Sequence, residues 1–277
     1  MKVELMRMRK GRLAFLAAAA LAVGTILLAT IEVFAIAAIR ALIKLNAVVP
    51  NATQAQHMSP ETLSKLSIDT VDMQRIALDP TGASGGTSIV ALGLVALGGL
   101  FVVREYRYGS MAATLIAQPR RQRLLADKVA AVALTALLIS AGIAFVRFLI
   151  LRCGLAAQHA SLHLTGLQVL ALQFRGIAAL TLCGCLGAGL GFLVRRQAPL
   201  LVGLGVLVGV ESTMQALGNV AGVPQAFHLL PLASAAHSVE LGATGWVALA
   251  ASGTWALVSV LTAAYSFTRE ELSFVPA

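Results

Sequence analysis

The sequence predicts an all-α membrane protein with six transmembrane helices, and three observations lead to that fold class. Hydrophobic residues make up 58% of the 277 residues and charged residues only 12%, whereas a soluble domain carries roughly 25% charged residues. The apolar residues lie in long runs, and the mean hydropathy is +0.85. These runs show no period-2 alternation, and backbone groups in lipid are satisfied only inside a helix or a closed barrel. Helices are therefore predicted.

Six apolar runs approach the ~20 residues that a helix needs to cross the bilayer. They cover residues 13–39, 87–103, 129–151, 167–194, 198–217 and 245–267. The first run follows a basic segment, as the apolar core of a signal peptide does. Its apolar part is 27 residues long, well beyond the roughly 7–15 residues of a signal-peptide core. We therefore predict a retained first helix.

The distribution of Lys and Arg predicts the orientation of these helices. With the N-terminus inside, 14 Lys and Arg residues fall in inner segments and five in outer segments, while Arg147 and Arg175 lie within helices. Cytoplasmic loops carry the excess of positive charge, so both termini are predicted to be cytoplasmic, in a multi-pass protein of the cell (inner or plasma) membrane. The net charge of +9 is thus explained by topology, and no nucleic-acid partner is expected.

Two outer segments are long and differ in character. Residues 40–86 form a polar outer loop that contains Pro50, Pro60 and Pro80, with a short helix predicted near residues 60–66. Residues 218–244 are mildly apolar, and Glu240 is their only Asp, Glu, Lys or Arg. Irregular backbone is tolerated at membrane depth only where protein covers it. This second segment is therefore predicted to form a short reentrant hairpin before the sixth helix.

The inner loop at residues 104–128 carries the densest charge in the chain. It reads REYRYGSMAATLIAQPRRQRLLADK. Met111, Leu115 and Ile116 recur at helical spacing, which predicts a short amphipathic helix that ends before Pro119. Gly109 would allow a sharp turn as the chain leaves the second helix.

This loop resembles one in the permeases of ABC-2-type transporters, especially the version frequent in actinobacteria. That family carries a pattern close to E-Y-R-x-G-[TS]-x₃-T-L-x-A-x-P-R-R-x-R-x-L-x₂-K between its second and third helices. The matching residues to which the resemblance assigns ATPase coupling are Glu105, Tyr106, Arg107, Gly109, Pro119, Arg120, Arg121, Arg123 and Lys128. The family topology is also similar, with six helices, a long first outer loop and a reentrant hairpin.

The resemblance implies that residues 1–277 form a single ABC-2-type transmembrane domain whose loop docks on a nucleotide-binding subunit. It further implies an exporter of a drug, lipid, peptide or polymer, paired with a second permease copy or homologue and surrounded by membrane lipid. No Walker A motif occurs in the sequence, so a cytoplasmic ATPase dimer would bind ATP and Mg²⁺. The permease itself is expected to hold no cofactor or metal and to catalyse no reaction. The alternative for the loop is a basic anchor that only fixes topology.

Four ionisable residues fall inside the predicted helices: Glu32, Arg147, Arg175 and Glu211. Charged residues in a span usually face the bundle and pair with one another. We predict that Arg175 pairs with Glu32 or Glu211, either as a structural ion pair or as part of a substrate pathway. Arg147 lies nearer the membrane surface, where its long side chain can reach water.

Weaker patterns give two further expectations. All five histidines (His57, His159, His163, His228 and His237) fall in outer segments and are interpreted as loop residues, because two histidines without a third ligand are a weak metal signal. The Gly187-x₃-Gly191 and Gly205-x₃-Gly209 patterns predict close helix packing.

Three other classes of protein remain as alternatives. A secondary transporter or channel would be indicated by inverted repeats or by helices broken near the midplane. A membrane-embedded enzyme would need clustered acids or histidines at one depth, and Asp127 is the only Asp at an inner boundary. An assembly subunit without transport activity is compatible with the same sequence. The sequence does not choose the cargo, or a homodimer over a heterodimer.

Overall fold

The computed structural model describes residues 70–82, 88–107, 121–223 and 227–269, together with Gly24, Leu27, Thr30 and Phe34. Seven helices and no strand occur in these ranges. The helices are α1 (Val71–Leu78), α2 (Ile89–Arg107), α3 (Arg121–Ala157), α4 (Gly166–Val194), α5 (Gln197–Ala221), α6 (Pro231–His237) and α7 (Ala243–Arg269). The all-α prediction is confirmed for the described part of the chain.

Five of these helices, α2, α3, α4, α5 and α7, are long and apolar enough to cross a membrane. They cover the last five of the six predicted runs. The protein is therefore a multi-pass membrane protein. Gly24, Leu27, Thr30 and Phe34 in the first run are helical, while the rest of that run and both chain ends lie outside the described residues.

Helix α4 forms the centre of the bundle and packs against α2, α3 and α7. Small residues allow backbones to approach closely. A side chain at Gly187 would strike the Val95 backbone of α2, and one at Gly191 would strike the Gly99 backbone. The prediction of close packing holds for this pair, while Gly205 and Gly209 have no neighbour within 4 Å among the described residues.

Helices α2 and α3 extend into the segment that was predicted as a loop. Helix α2 continues to Arg107, and α3 starts at Arg121, eight residues before its predicted start. The early turns of α3 are helical because Leu124 and Leu125 are buried against Val102 of α2 and Phe192 of α4. At ~1.5 Å per residue, the 37 residues of α3 exceed the ~30 Å of hydrocarbon. The segment between α2 and α3 is therefore residues 108–120, shorter than the predicted 104–128, and it lies outside the described residues.

The outer loop contains a helix, α1, that was not predicted. Its N-cap residue Thr70 accepts a hydrogen bond from the Met73 amide at 3.4 Å, a common helix-start signal. Its last turn buries Leu78 against a cluster that includes Leu151 and Leu155 of α3. The helix predicted near residues 60–66 lies outside the described residues.

The segment between α5 and α7 folds back into the bundle. Helix α5 ends at Gly222, whose φ of 72° suits glycine in the left-handed region. The side chains at 232–236 in α6 are buried. The start of α6 contacts Glu211, ten residues before α5 ends, which is about 15 Å along that helix.

Candidate functional site

One end of the bundle, here called the basic end, collects most of the described positive charge. It comprises the last turns of α2, α4 and α7 and the first turns of α3 and α5. Its eight Lys and Arg residues are Arg104, Arg107, Arg121, Arg123, Lys128, Arg195, Arg196 and Arg269. The opposite end carries Arg75 and Arg152 among the described residues, with Arg147 and Arg175 deeper in the helices. This asymmetry matches the one that the sequence predicts.

A buried ion pair joins α2 to α3 at the basic end. The Lys128 Nζ donates a hydrogen bond to Glu105 Oε2, and the two side chains are 0% and 10% exposed. Burying an ion costs several kcal/mol, which only close pairing offsets. Both residues belong to the loop pattern. Their contact holds the end of α2 against the start of α3, the two helix ends that residues 108–120 connect.

The next two residues of α2 connect it to the turn between α4 and α5. The Tyr106 ring packs edge-on against Phe192, with centroids 6.4 Å apart, and the Arg195 guanidinium lies 5.7 Å from the Tyr106 centroid. Arg107 Nη1 donates to Gln197 Oε1 at 2.8 Å. Glu105, Tyr106 and Arg107 therefore link α2 to both neighbouring helix ends at this face.

The other coupling residues predicted from the loop pattern are only partly described. Arg121 and Arg123 lie in the first turn of α3, and the Arg123 side chain is exposed. Gly109, Pro119 and Arg120 lie outside the described residues. The described members of the pattern thus form the base of a loop whose centre is not described.

Deep in α5, Glu211 contacts backbone rather than a charged partner. Its carboxylate accepts hydrogen bonds from the amides of Leu232, at 3.0 and 3.2 Å, and Ala233, at 3.0 Å. These amides begin α6 and have no partner within that helix. Glu211 therefore fixes the start of α6 against α5.

Arg175 of α4 likewise uses carbonyl oxygens. Its Nη1 donates to Gly242 O and its Nε to Ala171 O, both at 3.3 Å. Its guanidinium lies 5.3 Å from the Trp246 ring centroid, a cation–π distance. Arg175 and Glu211 therefore do not pair with each other. Glu32, the other predicted partner of Arg175, lies outside the described residues.

Arg147 of α3 is buried rather than reaching toward water. It is 1% exposed, and its Nη1 donates to the Asp79 carbonyl, which follows α1. The Asp79 carboxylate accepts from the Thr81 amide at 2.7 Å and from the Thr81 hydroxyl. The expectation that Arg147 extends to the surface is wrong, because the turn after α1 covers it.

Near the opposite end, three potential ligands meet beside α6. The rings of His228 and His237 stack with centroids 3.5 Å apart, and His237 Nδ1 lies 2.6 Å from Glu240 Oε1. Burial, together with the nearby His237, lowers the pKa of His228. Burial alone would raise the pKa of Glu240, but the hydrogen bond and charge of His237, with contributions from His228 and Thr244, lower it.

Comparison with known proteins finds no relative of this chain. No family model, no curated protein and no solved structure matches the chain.

Sequence reasoning missed two of these features. It interpreted His228 and His237 as separate loop residues and did not join them to Glu240. The spacing of three between His237 and Glu240 was an available signal, since one helical turn places such residues side by side. The contact of Arg147 with Asp79, 68 residues away in the chain, had no such signal because only tertiary packing creates it.

Proposed function

We propose that this chain is the permease subunit of an ATP-binding cassette transporter of the ABC-2 type, driven by ATPase subunits on separate chains. The observation that carries the proposal is the buried Glu105–Lys128 pair at the base of the loop whose residue pattern resembles the coupling loop of that family. A loop that only anchored topology would need exposed positive charge and no buried pair beneath it.

The contacts at the basic end give this proposal a mechanical basis. A load on residues 108–120 would act on α2 and α3 together, because Glu105 and Lys128 join the two helix ends. The contacts of Arg107 with Gln197 and of Tyr106 with Arg195 extend the load to the turn between α4 and α5. Packed elements of this kind respond to a displacement by shifting as units. ATP and Mg²⁺ would be bound and hydrolysed by the partner.

The finer topology belongs to the same proposal. Six spans with both termini in the cytoplasm place the basic end inside, in agreement with the positive-inside rule. The buried α6, whose start lies about 15 Å inside the span of α5 by helix rise, supports a reentrant hairpin on the outer side. A second permease copy or homologue would complete an export path for a drug, lipid, peptide or polymer through the cell membrane.

Purification of the native complex tests the partner. We expect the full chain to copurify with a soluble subunit that carries a Walker A motif and hydrolyses ATP. The double variant Arg120→Glu with Arg121→Glu should lose that subunit, since the loop would then repel an acidic docking surface. Arg152→Glu is the matched control, because Arg152 is exposed at the opposite end of α3. A native complex without an ATP-hydrolysing subunit would leave an ATPase-independent transporter or an assembly subunit as the better interpretation.

Labelling of cysteines in intact cells tests the orientation independently. Ser110→Cys should react with a membrane-impermeant maleimide only after the cells are made permeable. The native Cys153 is exposed near the other end of α3 and should react without that treatment. The reverse pattern would place the basic end outside and contradict the proposal.

A further inference from the structure

His228, His237 and Glu240 converge next to α6 from two sides. His228 lies in the turn before α6, His237 is the last residue of α6, and Glu240 lies in the turn that leads to α7. One nitrogen from each histidine and one carboxylate oxygen lie within 4.8 Å of one another. Segments before and after a single short helix thus direct their donor atoms to one point.

We propose that these three side chains form a binding site for a divalent transition-metal ion of the zinc type, with a fourth position open to water. Two histidines and one glutamate are a common ligand set for such an ion, which binds at about 2.0–2.2 Å from nitrogen and oxygen donors. Donors of a tetrahedral site therefore lie about 3.3 Å apart. The three donors lie within 4.8 Å of one another, so each pair must move by no more than about 1.5 Å relative to a spacing of about 3.3 Å.

The ligand types select the class of ion. Imidazole nitrogen suits zinc, copper, nickel and iron. Calcium and magnesium prefer sites made of oxygen ligands, and this site offers one carboxylate. Zinc is therefore the appropriate probe, and calcium serves as the negative comparison.

The surroundings hold the donors together and leave a route for the ion. His237 Nδ1 and Glu240 Oε1 already lie 2.6 Å apart, so these two donors are held side by side. His237 is the last residue of α6, whose start is bonded to Glu211, and His228 lies three residues before that helix. The side chains of His237 and Glu240 are 20% and 29% exposed, which allows an ion to enter.

A bound ion would connect the chain before α6 to the chain after it. It would close a loop around α6, whose start is bonded to Glu211, and it would thereby fix the segment between α5 and α7 in one position. This role does not depend on the transporter proposal, because metal binding is measured on the chain alone.

Titration of the purified full-length chain with Zn²⁺ is the experiment. The protein carries a tag without histidine and a Cys153→Ser substitution, since the exposed Cys153 thiol is a competing ligand. After treatment with a chelator, the chain in detergent is titrated by calorimetry. We expect one Zn²⁺ per chain, and His237→Ala and His228→Asn should each weaken binding by more than about tenfold, the lower limit for changing even a supporting partner of a ligand. Calcium should not compete.

Two matched variants test whether the loss of Zn²⁺ binding is specific to the proposed ligands. His159→Asn with His163→Asn removes the described histidines outside the site, and this variant should bind Zn²⁺ like the parent chain. Glu240→Gln retains a hydrogen-bonding side chain of the same shape and should still weaken binding about tenfold or more. Folding of each variant is checked by circular dichroism and gel filtration. If His237→Ala does not fold, Glu240→Gln tests the metal site in its place. Equal Zn²⁺ affinity in the parent and Glu240→Gln chains, equal loss in the His159 and His163 control, or no binding at micromolar Zn²⁺ would each overturn the proposal.

Discussion

The two halves of the bundle stabilise their buried charges in different ways. At the basic end, Lys128 meets the opposite charge of Glu105 directly. In the other half, Glu211, Arg147 and Arg175 contact backbone amides or carbonyls. The difference follows from the availability of backbone groups, because a continuous helix uses nearly all of its own.

Free backbone groups occur where a helix starts or stops inside the packed structure. Glu211 uses the amides at the start of α6, Arg147 uses the carbonyl after α1, and one donor of Arg175 uses the carbonyl before α7. Each of these three contacts thus marks a place where a helix starts or ends inside the bundle. A charged residue in a predicted span is therefore evidence for such a segment as much as for an ion pair.

The largest expected effect comes from breaking the direct pair. Lys128→Ala removes the Lys128 charge from the buried Glu105 carboxylate and should destabilise the protein by about 3–5 kcal/mol. The double variant Lys128→Met with Glu105→Leu removes both charges and should recover most of that loss, because an apolar replacement of a buried pair is often neutral. Unfolding by SDS in mixed micelles measures both. A double variant as unstable as Lys128→Ala would show that the charges are not coupled.

Loss of the contact between Glu211 and the backbone should have the next largest effect, comparable in size, because neutral amides rather than a charge are left unsatisfied. Glu211→Leu removes the acceptor of two buried amides, and each unsatisfied group costs about 1–3 kcal/mol. We expect Glu211→Gln to retain part of the stability through its amide oxygen. Ser212→Ala, at an exposed neighbouring position, should be neutral. The same SDS titration distinguishes them, and a neutral Glu211→Leu would contradict the contact seen here.

The two glycine patterns differ in how closely they pack against neighbouring helices. Gly187→Ala places a methyl group against the Val95 backbone, and overpacking of this kind costs about 1–3 kcal/mol. Gly205→Ala faces open space and should be neutral or stabilise α5 by up to about 1 kcal/mol. Thermal unfolding of the two variants measures the difference. A destabilised Gly205→Ala chain would indicate that a second copy or another protein packs on α5.

The spans were predictable because lipid imposes a simple rule of length and apolarity on each helix. The five described spans follow the runs found in the sequence, and the buried pair joins two residues of a recognisable pattern. The ends of α2 and α3 were misplaced, since polar residues such as Arg104 and Lys128 continue a helix beyond the lipid. The contacts of Arg147 with the Asp79 carbonyl and of Arg175 with the Gly242 carbonyl could not be predicted, because the position of these carbonyls depends on how α1 and α7 pack.

The smallest effect on stability, with a specific effect on function, is expected at the surface of the basic end. Arg107→Ala removes the hydrogen bond to Gln197, and the exposed position should limit the change in stability to the roughly 0.5 kcal/mol typical of surface substitutions. If the transporter proposal is right, the same variant should lower transport or coupled ATP hydrolysis, because α2 would no longer be tied to the start of α5. Gln197→Ala should have the same effect, and the double variant should add little to either, as coupled residues do. Additive losses would show that the two residues act through separate contacts, so that a load on residues 108–120 would not pass from α2 to α5 by this route.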